Sequence, residues 1–213
     1  MRMLAALLCM LWLAGCAPVL VGAGAAGALS ASQDRRSSGA QIDDETIEMR
    51  ANSRLGEAFG DRFGSKAHVN VTSYNRAVLL TGEVPDERTR GEVDGLVRGV
   101  PSVQGTTNEL VVAEPTSLGS RTTDSFITSK IKTRFLDAGK FNALHVKVVT
   151  EAGVVYLLGM VTEKEADDAV EIARTTGGVR KVVKMFEYCK AADEVCRVAP
   201  PSPPAPKSLR PAS

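Results

Sequence analysis

The chain has 213 residues, a 44% hydrophobic share and a formal charge of +1. These values fit one or two ordinary globular domains, and they argue against a general nucleic-acid binder, which carries a basic excess. Aromatics make up only 5% of the residues, so any core must be aliphatic.

Residues 1–15 place Arg2 ahead of the apolar run LAALLCMLWL and end in Leu13-Ala14-Gly15, before Cys16. A basic start, a short apolar core and small residues before a cut site describe a secretory signal. The Leu-Ala-Gly-Cys ending resembles the bacterial lipobox. That resemblance implies cleavage after Gly15, a diacylglycerol thioether on Cys16 and an acylated new amine, commonly with palmitate. Ala17 then implies export to the outer membrane, since an aspartate there commonly marks inner-membrane retention. Several acyl chains anchor a protein stably where one does not. Residues 17–29 are apolar but too short to cross a bilayer, which takes about 18 residues or more. Residues 16–41 therefore read as the lipidated cysteine and a flexible tether.

Residues 42–113 read as a first domain. Ile47, Ala51 and Leu55 are spaced as one helical face, and Asp43 or Asp44 is a candidate N-cap for a helix over residues 42–55. The stretch HVNVTSYNRAVLLTGEV, residues 68–84, reads as a hairpin with Val69, Val71, Val78, Leu80 and Val84 on one face. Pro85-Asp86 opens a second helix over 87–97, and residues 103–112 alternate as a third strand.

Residues 114–121 (EPTSLGSR) read as a linker, too short for the flanking domains to tumble freely. Residues 122–188 then repeat the plan. HVKVVTEAGVVYLLGMV, residues 145–161, aligns His145 with His68, Val155 and Leu157 with Val78 and Leu80, Gly159 with Gly82 and Val161 with Val84. Ile127, Ile131 and Phe135 form the core row of its first helix, with Asp124 as candidate N-cap. Glu163, Glu165, Asp167 and Asp168 crowd the start of the second helix, where the dipole favours anions. Residues 179–188 make the third strand. Gly82 and Gly159 fall within strands, which marks close approach by another backbone or side chain.

Two αββαβ units with Val-x-Leu-x-Gly-x-Val in each hairpin resemble the BON-domain family, and the lipobox with two copies resembles its outer-membrane lipoproteins. The resemblance implies an α+β fold of two tandem BON domains, each a three-stranded mixed sheet packed by two helices. It also implies a non-catalytic periplasmic protein whose second domain binds anionic phospholipid (phosphatidylglycerol-like), with enrichment at the division site and a role in envelope integrity.

Residues 189–213 hold Cys189, Cys196 and a proline-dense end expected to be extended. A periplasmic home permits disulfides. Cys189 and Cys196 could close a small loop, with two free thiols or an intermolecular bridge as alternatives. Neither a glycine-rich phosphate loop nor a metal-ligand spacing appears, and the two histidines hold equivalent positions, which favours a structural role. No catalytic residue, metal or cofactor is expected.

On a helical wheel, Phe126 and Leu136 fall on the outer side of the helix carrying Ile127, with Ser129, Lys132 and Thr133, and Lys130 lies at the boundary. Rings and alkyl groups suit the acyl boundary while lysines meet phosphates. The lipid-contact set drawn from this helix is Phe126, Lys130, Ile131, Lys132 and Leu136. In the first copy Thr46, Asn52 and Gly56 stand where Phe126, Lys132 and Leu136 stand. The competing reading is a protein-binding scaffold that tethers an envelope-assembly, cell-wall or division machine at the outer membrane. Val149, Val154, Tyr156, Leu158 and Met160 should point away from their own helices; the short linker makes the first copy the nearest cover, with a homo-oligomer as the alternative, while the first copy's matching side carries Thr72, Thr81 and Glu83, which tolerate water.

Overall fold

The computed structural model describes residues 34–60, 66–190, 192–193 and 196. The expected signal, Cys16 and the proline-dense end lie outside these residues. Among the described residues no helix is long and apolar enough to cross a membrane.

The first copy runs α1 (Ser38–Phe59), β1 (His68–Tyr74), β2 (Ala77–Val84), α2 (Glu87–Arg98), β3 (Gly105–Asn108) and β4 (Val111–Val112). The second runs α3 (Leu118–Ala138), a 3₁₀ turn at Ala143–His145, β5 (Lys147–Glu151), β6 (Val154–Val161), α4 (Glu163–Arg174) and β7 (Lys181–Tyr188). In each copy the hairpin is antiparallel, and its second strand pairs in parallel with the strand that follows the helix. β3 and β4 are one expected strand in two pieces, both on β2 and interrupted at Glu109-Leu110. The α+β, αββαβ-twice reading is the observed architecture.

Both first helices begin earlier than the sequence suggested. Ser37 and Ser117 are the N-caps, each accepting from a backbone N–H three residues on. Asp44 and Asp124 sit inside their helices, buried, and serve the hairpins instead. The Asp44 carboxylate accepts from Ser73 Oγ at 2.6 Å and from the N–H of Asn75 and Arg76, both at 2.7 Å. Asp124 accepts from the N–H of Ala152 at 2.9 Å and Gly153 at 2.8 Å. All four turn residues have positive φ, as a two-residue hairpin turn requires. Each aspartate thus satisfies turn donors that the ladder cannot reach. A carboxylate that binds a distant turn carries no pattern in the linear sequence, so the N-cap reading was the nearer one.

Residue 116 onward is not a free linker: Thr116 donates its N–H and hydroxyl to Glu83 at 3.1 and 3.3 Å, and helix α3 already contains Leu118. The expected tether likewise ends sooner. Arg35 is buried, giving two hydrogen bonds to Glu165 at 2.7 and 3.0 Å, one to the Met160 carbonyl at 2.9 Å and one to the Cys196 carbonyl at 3.2 Å. Cys189 and Cys196 are joined as a disulfide, with their Cα atoms 6.3 Å apart.

The Gly82 and Gly159 expectation holds in atomic detail. A Cβ on Gly82 would meet the His68 carbonyl oxygen at 1.9 Å, and one on Gly159 would meet that of His145 at 2.3 Å. Each copy has its own core. Ile47, Ala51, Leu55 and Phe59 of α1 pack on Val71, Val78, Leu80, Val84, Val93 and Val97. Ile127, Ile131 and Phe135 of α3 pack on Val148, Val155, Leu157, Val161 and the alanines of α4.

A third cluster joins the copies. Tyr74 and Leu79 of the first are buried with Tyr156 and Leu158 of the second, and Val149, Val154, Met160, Val183 and Met185 pack around them. The five outward apolar side chains are therefore covered as expected. Thr72, Thr81 and Glu83 are buried as well, where tolerance of water was anticipated, because the second sheet lies over them too. Polar bonds rim the contact: Asn70 to Glu151 at 2.7 Å, Lys147 to Glu48 at 3.0 Å, Asn75 to Glu187 at 2.8 Å, and the Met160 N–H to the Tyr74 hydroxyl oxygen at 3.2 Å. Burial and the neighbouring Glu109 push the Tyr156 hydroxyl up to about 12.

Candidate functional site

Helix α3 is held at both ends. Asp124 ties its second turn to the β5–β6 turn. Arg134, near the other end, donates to the Ile172 carbonyl at 2.7 Å and to the hydroxyls of Thr176 and Thr175 at the end of α4. Ile127, Ile131 and Phe135 face the core between these ties, so the opposite face is fixed outward.

That face carries Phe126, 64% exposed, and Leu136, 69% exposed. Lys130 and Lys132 are exposed beside them. Ile131 does not belong with them: it is fully buried, one turn from Ile127 on the inward row. The 3.6-residue period that turns Lys130 and Lys132 outward turns Ile131 inward, so it leaves the contact set. Leu118, the most exposed large apolar residue of this helix, joins the outer face. It was missed because its neighbours Gly119 and Ser120 read as linker.

The hydroxyls of this face point back into the helix. Thr122, Ser125, Ser129 and Thr133 each donate to the carbonyl four residues earlier, at 2.9 to 3.1 Å. A hydroxyl bonded this way needs no water, so the face can enter an apolar medium without orphaned donors. Beside Phe126 runs an open groove of about 500 Å³, lined by Ser129, Lys130, Thr133, Arg134 and Thr175 to Gly177. Its far wall comes from the α4–β7 connection, which no local pattern in α3 could announce.

The first copy differs on the same helix. Thr46 is half-buried, and Asn52 and Gly56 are exposed without apolar bulk. Ile42 and Met49 are exposed on α1, but the exposed Glu45 lies between them, which opposes an anionic surface.

Two further clusters hold the histidines. His145 is buried, its Nδ1 3.6 Å from Glu165, which also binds Arg35. Burial alone would raise the Glu165 carboxyl; the His145 imidazole, the Arg35 guanidinium and the Thr162 N–H outweigh it and hold the group well below the usual carboxylate range. The acids at the start of α4 are thus partly structural: Thr162 caps the helix and Glu165 closes a capping box. His68 sits between Glu83 and Glu151 at the contact of the two copies. Burial pushes the Glu151 carboxyl up.

Two tandem αββαβ units packed sheet to sheet, the second presenting an apolar and basic helix face, define a duplicated α+β protein. Residues 43–114 and 123–190 each match the BON domain, and the chain belongs to the BON-domain family. It is 37% identical to the outer membrane lipoprotein DolP of Haemophilus influenzae over 178 residues, which cover 84% of this chain and 91% of that protein. It is also 37% identical over 155 residues to the 21 kDa hemolysin of Actinobacillus pleuropneumoniae, covering 73% of this chain and 79% of that one. Osmotically-inducible protein Y of Escherichia coli is 32% identical over 117 residues, 54% of this chain and 58% of its own length.

Proposed function

We propose that this chain is a lipoprotein anchored in the outer membrane through acylated Cys16 and facing the periplasm, and that its second BON domain binds anionic phospholipid. Its role is then binding in support of envelope integrity, with enrichment at the division site, and no catalysis. The observation that carries the lipid reading is the outer face of α3: Phe126, Leu136 and Leu118 exposed among Lys130 and Lys132, with the hydroxyls between them bonded inward. Apolar groups enter the acyl boundary while the lysines meet phosphates, and the groove beside Lys130 gives a head group room. The relationship to DolP supports the anchor and the compartment, as does the Leu-Ala-Gly-Cys signal.

Liposome flotation with anionic and zwitterionic vesicles tests the lipid site. A basic group near an anionic surface contributes about 1 kcal/mol, and full burial of a Phe side chain roughly 1.5–3 kcal/mol. Phe126→Ala should therefore weaken flotation to a degree that salt hardly changes. Lys130→Glu with Lys132→Glu should weaken it further and flatten its salt dependence, because screening acts on charges and not on the ring. Folding should survive in both, as circular dichroism can check, since neither change touches the core row. Folded variants that float as well as the parent would hand the lead to the scaffold reading. For the anchor, Cys16→Ala should leave an uncut precursor; normal processing after Gly15 in that variant would remove the lipoprotein assignment.

A further inference from the structure

His68, Glu83 and Glu151 converge from three strands and two domains. His68 opens β1, Glu83 lies on β2, and Glu151 ends β5 at the turn held by Asp124. One ligand atom from each lies within 4.8 Å of the other two. We propose that these residues form a zinc(II) site that clasps the two BON domains together.

The distances leave room for an ion between the three groups. His68 Nδ1 is 3.6 Å from Glu83 Oε2 and 3.8 Å from Glu151 Oε1. A charge-assisted N–H···O bond closes to about 2.7–2.9 Å, and the imidazole has closed on neither oxygen. Its Nδ1 is shut off from solvent and has no hydrogen-bond partner. A zinc ion held at about 2.0–2.2 Å from nitrogen and oxygen ligands separates them by roughly 3.3–3.6 Å in a tetrahedron. Small side-chain adjustments reach that geometry.

Charge points the same way. Both carboxylates are nearly buried, with side-chain exposures of 6% and 9%, and among the described residues His68 is their only ion-pair partner. Arg121 lines the adjoining cleft but pairs with neither of them. Two buried carboxyl groups facing one imidazole set three metal-ligand atoms around one point, where a divalent cation would offset the charge of the carboxylates. An imidazole with two carboxylates suits zinc over calcium or magnesium, which take oxygen ligands.

The outer shell is built. Asn70 donates to Glu151 at 2.7 Å, and the Thr81 hydroxyl donates to the same carboxylate at 3.4 Å; Thr116 holds Glu83 through its N–H and hydroxyl. Such partners orient metal ligands. The cleft lined by His68, Asn70, Ser125, Thr128 and Glu151, about 440 Å³ and open to solvent, gives an entry path and space for a water as fourth ligand. The equivalent His145 has no such site, because the Arg35 guanidinium occupies the place of a cation there.

The test is isothermal titration of zinc chloride into the full chain in detergent, free of any tag and with Cys189–Cys196 oxidised, beside calcium and magnesium chloride. One zinc per chain is expected, with neither other ion competing. His68→Ala and Glu151→Gln should each weaken binding beyond the 10- to 100-fold, roughly, that loss of an outer-shell partner costs. Because a variant could loosen the contact between domains, nitrogen-15 spectra of the parent's histidine side chains serve as the second measurement. Zinc should shift the His68 Nδ1 resonance and leave His145 unmoved. The proposal is overturned if no zinc binds, if binding persists undiminished in both variants, or if zinc binds while the His68 resonance stays in place.

Discussion

His68 and His145 hold the same station in the two copies, and their backbones do the same work. Each carbonyl lies against the strand glycine of its own hairpin, Gly82 or Gly159, so closely that no Cβ fits. Their side chains meet opposite surroundings. His68 faces two carboxylates, one of them from the other copy, while His145 faces one carboxylate already satisfied by Arg35. The helices diverge in the same manner: α1 and α3 keep the inward row Ile47, Ala51, Leu55 and Ile127, Ile131, Phe135, while their outer faces share little. Packing constrains the backbone and the core in both copies alike. Side chains that point away from the core are free to take separate roles, and the roles proposed for this protein sit there.

The largest expected effect tests the shared part. Gly82→Ala and Gly159→Ala should each cost about 3–5 kcal/mol, in the range reserved for backbone strain and overpacking. Gly82→Ala should be the worse, because its φ of 113° adds a conformation that an L residue rarely adopts. Urea unfolding of both variants measures this, and a mild effect at either position would break the equivalence of the two hairpins.

The turn clamps sharpen the comparison by degree. Removing a partner of a buried donor costs about 1–3 kcal/mol per group left unpaired. Asp44 holds three donors of its hairpin and Asp124 two, so Asp44→Ala should lower the urea midpoint more than Asp124→Ala. The reverse order would show that solvent satisfies the donors of the first turn once the carboxylate is gone.

The smallest effect separates the two histidine corners by pH. Glu165 is held below the usual carboxylate range in the fold, so its contribution is complete above an unfolded glutamate's pKa of about 4.3. It is lost as pH falls further toward the depressed folded value. Thermal melts of the parent from pH 7 downward should therefore show an acid-side loss that Glu165→Gln reduces. An unchanged acid profile in that variant would mean that Arg35 and His145 leave Glu165 as it is in the unfolded chain.

The repeat, the two core rows, the αββαβ order and the close approach at both strand glycines are legible in the residues, because periodicity and backbone sterics act over a few positions. The apolar outer face of β6 also told in advance that the second sheet would be covered. The outward turn of Phe126, Lys132 and Leu136 follows from the helical period, and the same period applied strictly places Ile131 inside. What only the tertiary structure decided are the relations between distant residues. Asp44 and Asp124 serve turns some thirty positions away, Arg35 docks on Glu165, the groove beside Phe126 takes a wall from residues 175–177, and His68 meets Glu151 across the contact of two domains. Each depends on where a strand or helix packs in space, and a one-dimensional spacing holds no record of that distance.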